Sequence, residues 1–250
     1  MKIGVFGDSF TNLKFEENTT PTWVDILNER YDTTNFGVSG SNLYYSVNKF
    51  KEEQHRFDKI ILVITAPGRL QLSNWIETLG NPNYRYATNL SNVENQLARW
   101  YNLNTFDKDH LKINLNLIKA FEAARDYFIY LDNKPYNNFI QKLMIDEVLR
   151  SRSDTIMIPV DVYSFGTGST TTTLSDIYKK EMNAWNENDD SIHSKMIEEA
   201  IIDIRNCHLT AENNAILAEK VEEWIDGSPV EIKLDDFVTP MNKEFYIRKL

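Results

Sequence analysis

The chain has 250 residues, a hydrophobic fraction of 42%, 12% aromatics and a formal net charge of −10, the profile of a folded globular protein able to bury a full core. The acidic balance and the scattered Lys and Arg residues argue against a nucleic-acid backbone as partner. A single cysteine, Cys207, excludes an internal disulfide and a multi-thiolate metal centre, and no window has the apolar length of a bilayer crossing.

Lys2 to Phe6 is a short apolar run stopped by Gly7, which predicts a buried strand and a turn. Its opening, Met1-Lys2-Ile3-Gly4, lacks the apolar stretch of a signal peptide, so the cytoplasm is the expected location. Thr20-Pro21 predicts a helix start, with Thr20 as cap, and Trp23, Ile26 and Leu27 supply an apolar face. A second short strand is expected over Thr33 to Phe36, closed by Gly37-Val38-Ser39-Gly40, with helical character from Asn42 to about His55. Ile60-Ile61-Leu62-Val63-Ile64 is the strongest buried-strand signal in the chain.

Residues 66–92, rich in Asn, Gly and Pro, read as a long irregular excursion. Helices follow around 92–103, 110–132 and 136–150, together a helical insertion. Thr155 to Val160 returns to strand pattern and ends in Asp161. Helices are expected near 174–186 and 191–202, and a last one runs from Ala211 to about Asp226, capped by Thr210 and stopped by Gly227. Residues 228–250 form a C-terminal extension with the alternation of one or two strands, or a tail that packs on a partner in an oligomer or larger assembly. Strands separated by helices imply an α/β fold, a three-layer sandwich with a largely parallel sheet, and 1–227 reads as one domain.

Ser9 lies in a Gly7-Asp8-Ser9 turn at the carboxyl end of the first strand, where open α/β sheets bind ligands. Such a serine is either a local turn cap or a nucleophile with backbone N–H groups beside it to hold an oxyanion. A serine hydroxyl needs an imidazole to take its proton. His55, His110 and His193 read as structural or solvent-facing, whereas His208 ends a loop against the capped last helix. Asp8 reads as a turn-fixing carboxylate. Cys207, beside His208, has the weaker setting for a nucleophile.

Three segments, in order, resemble the SGNH, or GDSL-type, hydrolases. Gly7-Asp8-Ser9-Phe10 is similar to the first block, Asn35-Phe36-Gly37-Val38-Ser39-Gly40-Ser41 to the second, and His208-Leu209-Thr210 to the last. The resemblance covers roughly residues 1–65 and 200–226. It implies Ser9 as nucleophile, His208 as general base, and backbone N–H groups of Ser9 and Gly40 as oxyanion donors. Two features depart from the family. Its third block supplies an asparagine side chain after the third strand, where this chain has Thr65-Ala66-Pro67-Gly68-Arg69; Thr65, Arg69 and Asn42 are the candidates to stand in. Loss of one oxyanion donor costs about 3 kcal/mol of transition-state stabilisation. The family's acid, three residues before the histidine, is replaced by Arg205, which leaves Asp203 as the nearest carboxylate, Asp161 as a more distant one, or a Ser–His dyad.

The expected reaction is hydrolysis of an ester, with an O-acetyl or short acyl group on a carbohydrate preferred. The alternatives are an acyltransferase on the same Ser–His pair and a catalytically inert binding or structural protein. Thr65, Arg69, Trp75 and Tyr84 are the candidate substrate contacts, with Tyr86, Trp100, Tyr101 and Tyr127 either lining the same groove or simply packing. No metal or other cofactor is required by this chemistry, and neither phosphate-loop nor dinucleotide glycine patterns are present.

Overall fold

The computed structural model describes residues 1–11, 21–38, 40–65, 69–71, 87–88, 90–104, 108, 115–160, 172–182, 209–229 and 232–238. The main sheet comprises β1 (Lys2–Phe6), β2 (Asp32–Asn35), β3 (Lys59–Ile64) and, later in the chain, β6 (Thr155–Pro159), with β4 (Leu70–Gln71) and β5 (Ala87–Thr88) forming a small antiparallel ladder. All pairings in the main sheet are parallel, in the order β2-β1-β3-β6. The helices are α1 (Trp23–Asn28), α2 (Leu43–Glu53), α3 (Leu90–Tyr101), α4 (Leu115–Asp126), α5 (Lys134–Ser151), α6 (Leu174–Met182) and α7 (Ala211–Ile225).

Parallel strands covered on both faces need apolar residues at every position, and period-two alternation then divides them between two cores. Ile3, Val5, Ile61, Val63, Ile156 and Ile158 pack in one cluster with α1, α6 and α7. Phe6, Ile60, Leu62, Ile64 and Met157 pack in the other with α2 and α5. The result is a three-layer α/β sandwich. The edge strand β2, Asp-Thr-Thr-Asn, is polar and only partly covered.

Several boundaries differ from the sequence expectation. The first helix is capped by Thr22, not Thr20, because the Thr22 hydroxyl and the Asp25 carboxylate form a reciprocal capping box; Thr20 itself lies outside the described residues. The helix of 136–150 is not separate from the sheet: Ile145 and Val148 of α5 are buried in the second core. By contrast, α3 and α4 share a small core of their own, in which Trp100 and Phe121 meet edge to face at 4.8 Å. Trp100 is therefore packing, not groove lining. Within 66–92, the β4–β5 ladder and the start of α3 replace part of the irregular excursion.

The predicted helix over 191–202 falls outside the described residues. Of the C-terminal segment, 228–229 and 232–238 are described, and 230–231 and 239–250 lie outside the described residues. The stretch 232–238 contains a 3₁₀ turn, Leu234–Asp236. It is tied to the body: Ile232 and Phe237 are buried in the first core, and Asn213 exchanges two hydrogen bonds of 2.9 Å with the backbone of Val238. Among the described residues, no helix is long and apolar enough to cross a membrane.

Candidate functional site

With the order β2-β1-β3-β6, successive connections leave β1 in opposite directions, so the crevice between the carboxyl ends of β1 and β3 is the topological switch point where such sheets bind ligands. Asp8 and Ser9 follow β1, and Thr65 follows β3. The two ends are joined directly. Asp8, fully buried, accepts from the Thr65 hydroxyl at 2.6 Å on Oδ2, and Arg69 Nη1 lies 3.3 Å from the same oxygen. Its Oδ1 takes the backbone N–H of Phe10 at 3.1 Å, and its carbonyl takes the N–H and hydroxyl of Thr11. The Asp8 carboxylate thus fixes the tight turn that carries the partly buried Ser9.

The second segment closes on this turn. Ser41 and Ser46 donate their hydroxyls to the carbonyl of Gly7, and Val38 donates its N–H to the same oxygen at 3.2 Å. Asn35 accepts from the N–H of Gly37 and donates to the carbonyl of Thr11. The approach is close enough that a Cβ on Gly37 would lie 1.7 Å from Thr11 Oγ1, so only glycine fits. Gly40 has φ +76°, in the left-handed region that glycine enters without steric cost. Its N–H makes no hydrogen bond to another described residue, and a Cβ there would meet nothing within 4 Å. Among the described residues, Gly40 thus combines an uncommitted donor with open space.

The structure gives the remaining expected residues different surroundings. The buried Thr65 hydroxyl is held by Asp8 and the carbonyl of Ser41, which makes it a support of the Ser9 turn. Arg69 donates to the carbonyl of Ser41 at 2.8 Å, so it spans the first two segments. Asn42 caps α2, its Oδ1 accepting from Tyr45 N at 3.1 Å. His55 sits exposed in a 3₁₀ turn after α2. Trp75, Tyr84, Asp161, Asp203, Cys207 and His208 lie outside the described residues.

A buried frame that sequence reading did not anticipate links the Ser9 turn to the segment following His208. Trp23 Nε1 donates to the carbonyl of Phe10 at 2.9 Å, and Trp23 N donates to Asn214 Oδ1 at 3.0 Å. Asn214 Nδ2 in turn donates to the carbonyls of Leu209 at 3.0 Å and Thr210 at 3.1 Å. Phe10 and Leu209, the residues bonded to Ser9 and His208, belong to the same core. Thr210 caps α7, and Glu181 on α6 accepts from its N–H and hydroxyl and from the Asn213 amide. Burial pushes the Glu181 carboxyl up to about 7, against those three hydrogen bonds. The available signal is the pair Asn213-Asn214 in the first turn of an otherwise apolar-faced helix; Asn213 meets Glu181 and Val238, 32 and 25 positions away, and Asn214 meets Trp23, 191 positions away.

Among the described residues, no three His, Cys, Asp or Glu side chains gather as metal ligands. No family model, curated protein or solved structure matches this chain.

Proposed function

We propose that this chain is a serine hydrolase of the SGNH type that cleaves an ester through an acyl-enzyme on Ser9, with a short acyl group on a carbohydrate as the preferred substrate. The observation that carries this reading is the Phe10–Trp23–Asn214–Leu209 hydrogen-bonded frame, which binds the neighbours of Ser9 and His208 into one buried unit. Reacting groups held from separate parts of a chain need such support to keep a productive geometry.

In this mechanism His208 takes the proton of Ser9 as Oγ attacks the carbonyl carbon. The oxyanion receives N–H donors from Ser9 and Gly40, the latter uncommitted among the described residues. Collapse expels the sugar alkoxide, which takes the proton from His208. Water, deprotonated by His208, then attacks the acyl carbon and releases the carboxylic acid and Ser9. Asp203 is the carboxylate assigned to orient His208.

A fluorophosphonate probe followed by peptide mass spectrometry tests this directly. One adduct per chain on Ser9, lost in Ser9→Ala and strongly reduced in His208→Ala, is the expected result. A folded wild-type chain that stays unlabelled from acid to alkaline pH overturns the reading.

A further inference from the structure

A cavity of about 190 Å³ opens between the start of α2 and the helices that follow α4, and Arg69, which pairs with Asp8 of the Ser9 turn, stands in its wall. Asn42 and Arg69 line it from the site side, and Arg69 also holds Asp8 and the carbonyl of Ser41. The far side is built by an irregularity in the fold. After α4 the backbone widens into a π-helical turn, Tyr127–Leu131, closed by Asp132 N donating to Tyr127 O at 2.9 Å. Such turns are rare and recur at functional sites. Here the turn brings Tyr127, Phe128 and Asp132 to the cavity.

On α5, Asn137, Ile140, Gln141 and Met144 line the cavity at the three- and four-residue spacing that puts side chains on one helix face. Asn137 donates to the Asp132 carboxylate at 2.6 Å. Gln141 Oε1 is buried and has no hydrogen-bond partner among the described residues. A buried acceptor left unpaired asks for an explanation. Rotation of the terminal amide turns either its acceptor or its donor end toward the cavity.

We infer that this cavity is a subsite for one neutral pyranose ring, the sugar that carries the acyl group presented to Ser9; this rests on the hydrolase reading above. Its volume is below the roughly 300 Å³ at which pockets for drug-sized ligands begin, which suits a single ring. Amides, a carboxylate and a guanidinium together match hydroxyls, which both donate and accept. Tyr127 and Phe128 supply apolar faces for the ring's C–H side. Arg69 is already paired with Asp8 and Asp132 is negative, so a phosphorylated or carboxylated ring gains no net attraction. A purely aliphatic acyl chain would leave the polar lining unpaired.

The test uses the full chain and methyl glycosides of glucose, galactose and N-acetylglucosamine, which carry no hydrolysable ester, read by saturation-transfer NMR. Binding of at least one of them in wild type, weakened tenfold or more in folded Gln141→Leu, is the expected result. Asn137→Ala gives the same readout should Gln141→Leu fail to fold. With the matching mono-O-acetyl glycoside, KM should rise at least tenfold in either variant while kcat falls less. No binding of any of the three glycosides to wild type, or unchanged binding in a folded variant, overturns the assignment. Labelling of Ser9 without glycoside binding would retain the hydrolase and discard the subsite. Glycoside binding sensitive to Gln141 without labelling would do the reverse.

Discussion

Replacing Glu181 with glutamine isolates the consequence of burying a carboxyl beneath the start of α7. Glu181 is fully buried; its Oε1 takes the Thr210 N–H at 3.1 Å, the Thr210 hydroxyl at 2.9 Å and the Asn213 amide, and its Oε2 has no partner among the described residues. Lost hydration outweighs those bonds and raises the carboxyl from 4.5 to about 7. Because the folded chain holds the proton more tightly than the unfolded chain, this group's contribution is fully present below 4.5 and is lost as pH rises through about 7. The difference corresponds to about 3 kcal/mol, of which about 2 kcal/mol falls between about pH 5.5 and about pH 8. Glutamine keeps the shape and the Oε1 acceptor but never ionises. Any fixed penalty for its buried amide N–H groups cancels when the same pair of chains is compared across pH. Urea unfolding should therefore show wild type losing about 2 kcal/mol relative to Glu181→Gln over this window. Parallel pH profiles for the two chains would refute the reasoning, since they would mean that the carboxyl titrates alike folded and unfolded.

Asp8→Ala leaves the Thr65 hydroxyl, the Phe10 N–H and the Arg69 guanidinium without their shared acceptor; urea unfolding should show a loss of about 3 kcal/mol, with fluorophosphonate labelling of Ser9 slowed. Asn214→Ala removes one accepted and two donated hydrogen bonds and should cost about 3 kcal/mol. It should also slow labelling of Ser9 in chains that remain folded, and unchanged labelling would separate the frame from the chemistry. Gly37→Ala drives a Cβ into Thr11 Oγ1 and should cost about 2 kcal/mol in thermal or urea unfolding, with part of the loss recovered in the double variant Gly37→Ala, Thr11→Ala. Gly40→Ala meets no atom, so its cost is the conformational one, about 1 kcal/mol for a φ of +76°.

Local chemistry made much of the fold legible. The runs Lys2–Phe6, Lys59–Ile64 and Thr155–Pro159 are apolar at almost every position, as strands buried on both faces require. The last helix announces both its ends, with Thr210 accepting from Asn213 N and Gly227 adopting φ +102°. The start of α1 is ambiguous in sequence because a Thr-Pro pair and the Thr22–Asp25 capping box compete two residues apart, and only the reciprocal hydrogen bonds decide between them. In sequence the helix of 136–150 looks like its neighbours, because a burial face cannot name its partner: Ile145 and Val148 meet the sheet, whereas Phe121 meets Trp100.

The sequence by itself determined the alternation of strands and helices, the parallel sheet that follows from it, and the Gly-Asp-Ser turn at the end of the first strand, because each rests on periodicity or on residues within a few positions of one another. Tertiary structure alone decided the bridge from Asp8 to Thr65 and Arg69, the Asn214 frame between Phe10 and Leu209, and the cavity shared by Arg69 and Gln141. The longest of those contacts are long-range: Asp8 and Thr65 are 57 positions apart, and Trp23 and Asn214 are 191 apart. A polar residue carries no periodic mark of its distant partner, and only the folded chain, which must satisfy every buried donor and acceptor, brings the two together.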